Sequence, residues 1–239
     1  MKRFVLTAAW CVYDLKAKSF YKNLNFFPAI NGKKTPYGEV AWKNAWVAKG
    51  FTDSGDLNFG YGLIELDKDI GDTIGWFGFG DVPKFNFKRL DVTGYPFATV
   101  PPQTMWTTKC AIDAAEENAI FYRCPGDAKA VSAMLGAPMW FKGKEDNEWQ
   151  IVGIHVTAQN DKQDSFWAAR LNQAHTETII AWAKSAGTKD TGTEDTGTDD
   201  QNEDDENDDE ATDDGTGNDD DQVVDKKPDC TCDDQAQPQ

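Results

Sequence analysis

The chain between residues 4 and 172 is cut into ten short runs, each bounded by Gly, Pro, Asn or Asp clusters. They read "RFVLTAAW", "FYKNLNFFPA", "YGEVAWKNAWVA", "GYGLIELD", "RLDVTGYP", "QTMWTTKC", "AIFYRC", "APMWFKG", "EWQIVGIHV" and "FWAARL". Turn residues at this spacing, with β-branched and aromatic residues between them, predict strands. Regular short strands without long helical patterns predict an all-β barrel or sandwich. One segment departs from this: "NQAHTETIIAWAKSA" places apolar residues at helical spacing and predicts a single C-terminal helix over 172–186. The nine tryptophans, six tyrosines and fourteen phenylalanines all precede Gly187, so the aromatic mass for a core lies in this β-rich part.

From Gly187 onward the character changes. Residues 187–239 carry 21 acids against three lysines, leaving 20 acids against 21 bases before them. The formal charge of -17 therefore belongs to the tail. The β-rich part is close to neutral, which argues against a nucleic-acid partner. A segment of Asp, Glu, Asn, Thr and Gly has too little apolar surface to offset ordering entropy, so 187–239 is expected to be a disordered acidic tail. It reads as a solvating extension; weak calcium attraction by its carboxylates is the sharper alternative, although no spacing matches an EF-hand loop. No apolar run reaches the ~20 residues of a membrane span, and no membrane partner is expected.

Cysteines stand at 11, 110, 124, 230 and 232, an odd number. Cys110 and Cys124 flank "CAIDAAEENAIFYRC", readable as a hairpin turning near Glu116-Glu117-Asn118. A disulfide there would imply an oxidising compartment; two buried thiols are the alternative. Cys230 and Cys232 are too close for an easy internal bridge. The start, "MKRFVLTAAWCVY", mimics a secretory signal, but no clean small-x-small cleavage site follows it. It is read as a core strand.

Four phrases in order carry more than any one of them: "VLTAAWCVYD", "NFGYGLIELDKDIGDTIGWFGF", "VTGYPFATVPPQTMW" and "AMLGAPMWFKG" followed by "QIVGIHV". Together they resemble the trypsin-like serine endopeptidases, most closely their glutamyl-endopeptidase-like branch, over roughly residues 4–183. The resemblance implies two antiparallel Greek-key β-barrels of the chymotrypsin type, a first over 1–86 and a second with the closing helix over 87–186. The family's opening hairpin is absent before the first phrase, so the first barrel is expected to be incomplete and the chain reads as truncated; Cys11 would lack the partner it often has there.

In that family a serine attacks, a histidine takes its proton and a buried aspartate orients the histidine. Carried over by motif, the histidine position is Trp10, the aspartate position Gly60 and the serine position Leu135. The glycine of the oxyanion turn is Ala133, whose side chain disfavours the turn that aims amides at an oxyanion. None of the three triad side chains moves a proton, so no catalytic residue is assigned. Side-chain volumes suggest that Trp10 fills the space emptied at Gly60 and meets Leu135 as an apolar plug. His155, in "VGIH", falls where the resembled enzymes meet an acidic substrate side chain, and with Thr157 it is the candidate vestigial carboxylate site; a core histidine is the plainer alternative. His175 reads as a surface residue of the terminal helix.

The expectation is a catalytically inactive, secreted homologue that binds a protein or peptide in the former substrate cleft and requires no cofactor or metal. An active endopeptidase with an unrecognised catalytic set, and an acidic structural or calcium-attracting protein, are the alternatives.

Overall fold

The computed structural model describes residues 2–96, 103–126, 128–143, 147–158 and 165–188. The expected acidic tail, Cys230 and Cys232, and part of "GYPFATVPPQ" lie outside these residues.

The alternation in "RFVLTAAW" and "GYGLIELD" produces β1 (Phe4–Ala8) and β6 (Tyr61–Leu66), paired antiparallel from Phe4↔Glu65 to Ala8↔Tyr61. Between them in sequence stand β2 (Tyr13–Asp14), β3 (Ser19–Phe20), β4 (Asn25–Phe26) and β5 (Val40–Val47). The β1-β6-β5-β4 sheet is a half-barrel, with β1 and β4 at its two edges. Its open side is covered from within the chain. Ala8, Tyr61 and Leu63 pack against Ile154, Val156, Ala169, Leu171 and Ile179, which belong to later elements.

Those later elements close completely. After β7 (Gly78–Phe79) come β8 (Arg89–Gly94), β9 (Trp106–Ala115), β10 (Ala119–Arg123), β11 (Pro138–Lys142), β12 (Trp149–Ala158) and β13 (Phe166–Arg170). The order β11-β8-β9-β10-β13-β12, with β11 also paired to β12, makes a six-stranded antiparallel barrel. Every strand has two neighbours, so no edge is exposed. Leu90, Val92, Ile120, Tyr122, Met139, Val152 and Phe166 fill its interior. The two residues of β7 add to β12 in parallel, which carries the segment before β8 onto the barrel.

The β9–β10 hairpin turns at 116–118, where the Glu116 N–H donates to the Ala119 carbonyl at 2.9 Å. Cys110 and Cys124 are bridged across it.

Three short helices were not anticipated: α1 (Lys49–Ser54), α2 (Gly71–Ile74) and α3 (Ala128–Ser132). At four to six residues each they are too brief to show a periodic apolar pattern. The terminal helix α4 spans Gln173–Thr188, close to its expected range. Asn172 caps it: its side-chain oxygen accepts the His175 N–H at 2.9 Å, and its amide nitrogen donates to the Glu117 carbonyl, tying the helix start to the β9–β10 turn.

Candidate functional site

Trp10 is the middle residue of a 3-10 turn, Ala9–Cys11, that follows β1. The Ala9 N–H donates to the Gly60 carbonyl at 2.9 Å, drawing the turn onto the start of β6. From the other barrel, the Leu135 carbonyl accepts a weak hydrogen bond from the Cys11 thiol at 3.9 Å. Gly136 lies so close to Thr7, Ala8 and Cys11 that a side chain there would collide with the Thr7 hydroxyl, and its φ of +82° suits glycine. Positions 10, 60 and 135 therefore meet at one seam between half-barrel and barrel.

The seam is filled differently from the expected plug. The Trp10 indole is half-buried edge-on against Phe51, with ring centroids 4.7 Å apart and planes at 88°. Tyr13 and Ala9 complete that cluster. The space at Gly60 is taken from β12: a Cβ on residue 60 would stand 2.8 Å from Val156 Cγ1 and 3.0 Å from the Leu57 carbonyl. Val156 fills the space beside Gly60, and the indole turns to Phe51 instead.

The oxyanion turn is also engaged elsewhere. The Ala133 N–H donates to the Lys129 carbonyl at 3.1 Å and the Met134 N–H to the Val131 carbonyl at 3.0 Å, so α3 winds on through this position. An amide held in a helical bond cannot point at a substrate oxygen.

His155 lies on β12 beneath this segment, fully buried. Its Nδ1 and the Tyr122 hydroxyl are 2.7 Å apart. With the phenol donating to Nδ1, the ring proton sits on Nε2, which is turned toward the Ser132 backbone without a hydrogen bond of good geometry. Burial pushes the His155 pKa down to about 4, opposed by the Ser132 backbone, and burial pushes the Tyr122 phenol up. Thr157 is half-buried two residues further along β12, past a register break between His155 and Thr157. Tyr122 is the functional neighbour that sequence reasoning missed. The signal available was its alternation with Ile120, which places both on the inward face of β10.

His175 corrects the surface expectation: it is 3% exposed. The Asn172 cap turns this position inward, where Nδ1 meets the Arg170 carbonyl at 2.7 Å and the ring lies against Phe59 and Tyr61. Its pKa too is lowered, chiefly by burial.

A histidine whose folded pKa lies below its unfolded value of about 6.5 favours the unfolded chain once protons are available. Stability is full above pH ~6.5 and is lost as pH falls toward about 4. His155 accounts for roughly 3 kcal/mol of that loss, and His175 adds in the same direction. Urea titrations at stepped pH should show it. The His155→Phe variant is expected to flatten the profile; an unchanged slope would contradict this assignment.

No protein-family model matches the chain. Over 154 residues it is 29% identical to a protein of Bacillus subtilis named "Extracellular metalloprotease", an alignment covering 64% of this chain and 47% of the relative. Over 93 residues it is 36% identical to the glutamyl endopeptidase of Bacillus licheniformis, covering 38% of this chain and 29% of the relative. The matched parts thus span less than half the length of these curated relatives. Among solved structures, a Glu endopeptidase in complex with MPD superposes with a TM-score of 0.64 at 20% identity, covering 77% of this chain and 82% of the other. The protease Anisep from Arthrobacter nicotinovorans gives 0.62 at 14% identity, covering 77% and 84%. The chain is a chymotrypsin-fold homologue of the serine endopeptidases. For this homologue the fold agrees with the expected barrel and half-barrel. Among its described residues, no three His, Cys, Asp or Glu side chains gather where they would hold a metal ion.

Proposed function

We propose that this serine endopeptidase homologue is catalytically silent and binds an extended protein or peptide segment through its former substrate cleft. The observation that carries the reading is the seam itself. Residues 10, 60 and 135 converge there, yet they are Trp, Gly and Leu, and the neighbouring Ala133 amide is bound to Lys129. An indole accepts no proton, and neither glycine nor leucine offers a nucleophile or an orienting carboxylate. The helical turn at Ala133 removes electrostatic stabilisation as well.

His155 is the group that would meet an acidic side chain of the bound segment, with Thr157 as a second polar contact. Its Nε2 is turned toward the Ser132 backbone. A carboxylate reaches it only when the turn at 131–134 moves aside. The Cys110–Cys124 bridge and a relative named as extracellular support secretion.

Titration with a decapeptide carrying a central Glu, followed by intrinsic fluorescence and by mass spectrometry, tests the reading. Saturable binding is expected, with the peptide recovered intact. The preference for Glu over Gln should vanish in His155→Phe, and binding should survive deletion of residues 187–239. Equal affinity for Glu and Gln peptides in the wild type, or binding lost with the tail, would contradict it.

A further inference from the structure

The two edges of the half-barrel differ. β4 is two residues long, and Pro28 follows it. Where β5 runs on past β4, it carries the exposed Lys43 and a register break between Trp42 and Asn44. Shortness, proline, lysine and bulges are the devices that keep a strand edge from pairing with another chain. β1 has none of them. Phe4–Ala8 is uncharged, contains no proline and pairs with β6 without a register break. Among the described residues no strand lies on its other side.

Two bonds assign the main-chain groups of that side. The Leu66 N–H donates to the Arg3 carbonyl at 2.7 Å, and the Ala9 N–H to the Gly60 carbonyl at 2.9 Å. Residues 3, 5, 7 and 9 therefore face β6, while Phe4, Leu6 and Ala8 turn their N–H and C=O groups outward. Ala8 is covered: a Cβ on Gly136 would stand 3.1 Å from its nitrogen. Phe4 and Leu6 remain. Next to this edge, Phe4, Phe79, Ile180, Ala183 and Lys184 line an open groove of about 430 Å³.

We infer that β1 is a dimerisation edge, pairing antiparallel with β1 of a second copy about a two-fold axis through Val5. Three observations select a second copy. Register comes first. With Phe4 opposite Leu6 of the other copy, the two strands exchange their outward groups reciprocally, as an isologous interface requires. An axis through Leu6 would need Ala8, which Gly136 blocks. The chosen register also sets Leu6 of one copy beside Phe4 of the other, on the face where the groove opens.

Charge comes second. This register places Arg3 opposite Thr7 and Val5 opposite itself, so no like charges meet. Lys2 and Arg3 are held within their own copy, by Asp72 at 2.6 Å and Asp69 at 2.8 Å. Area comes third. Ile74 and Ile180 are each 37% exposed and Trp76 57%. The Gly71 N–H donates to the Lys2 carbonyl at 2.8 Å, which holds α2, and Ile74 with it, at the start of β1. With the half-buried Phe4, Leu6 and Phe79, these side chains offer roughly 400 Å² of apolar surface. A standard interface buries ~800 Å² per partner, somewhat over half of it apolar. The contact is therefore small, and the dimer is a micromolar one rather than obligate. It is independent of the seam, so it stands or falls apart from the peptide-binding reading.

Sedimentation velocity of the full chain, from low micromolar to submillimolar concentration, is the test. A monomer–dimer equilibrium with a midpoint in the micromolar range is expected. Val5→Lys and Val5→Glu each set like charges across the axis, at a side chain that belongs to no core cluster among the described residues. Each should weaken the dimer about ten-fold or more. An equimolar mixture of the two variants should restore it, which misfolded chains would not do. A protein that stays monomeric throughout, a dimer that both variants retain, or a mixture that fails to pair would overturn the inference. So would a dimer lost on deletion of residues 187–239, or one that survives a non-reducing denaturing gel through a disulfide between copies.

Discussion

Gly60→Asp, which introduces the carboxylate that the resembled motif carries, is expected to cost this chain about 4 kcal/mol or more of folding stability. Two effects add. A Cβ at residue 60 would stand 2.8 Å from Val156 Cγ1 and 3.0 Å from the Leu57 carbonyl, closer than real side chains pack, so β12 or the 57–59 turn must shift. Overpacking of that kind costs about 1–3 kcal/mol. The new carboxylate would then sit beside Val156 with an indole, not an imidazole, at position 10, and a buried charge without a partner is destabilising by about 3–5 kcal/mol. Urea unfolding should register the loss directly. A Gly60→Asp variant within 1 kcal/mol of the wild type would show that the seam still has room for the carboxylate. An aspartate at position 60 is therefore opposed by packing as well as by desolvation.

The second large effect concerns the disulfide. Replacing Cys110 and Cys124 together by alanine releases a loop of sequence separation 14, worth about 3 kcal/mol in the loop-closure account. Cys110 is fully buried in the barrel interior with Leu90 and Tyr122, so part of the cost will be lost packing around it. Reduction of the wild type should lower its urea midpoint by a similar amount. A midpoint unmoved by both treatments would mean that the six-stranded closure alone holds the β9–β10 hairpin.

The strands of the closed barrel were legible because their residues alternate. In "RLDVTG" Leu90 and Val92 point inward and in "AIFYRC" Ile120 and Tyr122 do, and burial follows that period. The Cys110–Cys124 hairpin could be read from turn residues between two strand patterns. The seam was legible only as a set of motif positions. What fills it was not, because Val156 reaches Gly60 from a strand far along the chain, and no local pattern encodes that contact. The same limit applies to Ala133. Its helical hydrogen bond to Lys129 depends on how α3 lies over the barrel, whereas the sequence shows only that a glycine has become alanine. His175 was misplaced because helical spacing fixes which residues share a face, but the direction of that face was set by the Asn172 cap and the rings of Phe59 and Tyr61.

The half-barrel sheet does not have a core of its own. Its open side rests on Ile154, Val156, Ala169 and Leu171 of the neighbouring strands and on Ile179 of α4, so its core is shared with elements that fold later in the sequence. This sharing also keeps Trp10, Gly60 and Leu135 together at the seam.

The most direct measurement is incubation of the homogeneous wild-type protein with an active-site-directed fluorophosphonate and, separately, with Glu-containing peptides. No covalent label and no cleavage are predicted on the proposed reading, because Trp10, Gly60 and Leu135 supply neither a base nor a nucleophile. Saturable hydrolysis that disappears on a single change in its own cleft, such as Ser132→Ala, would contradict the account.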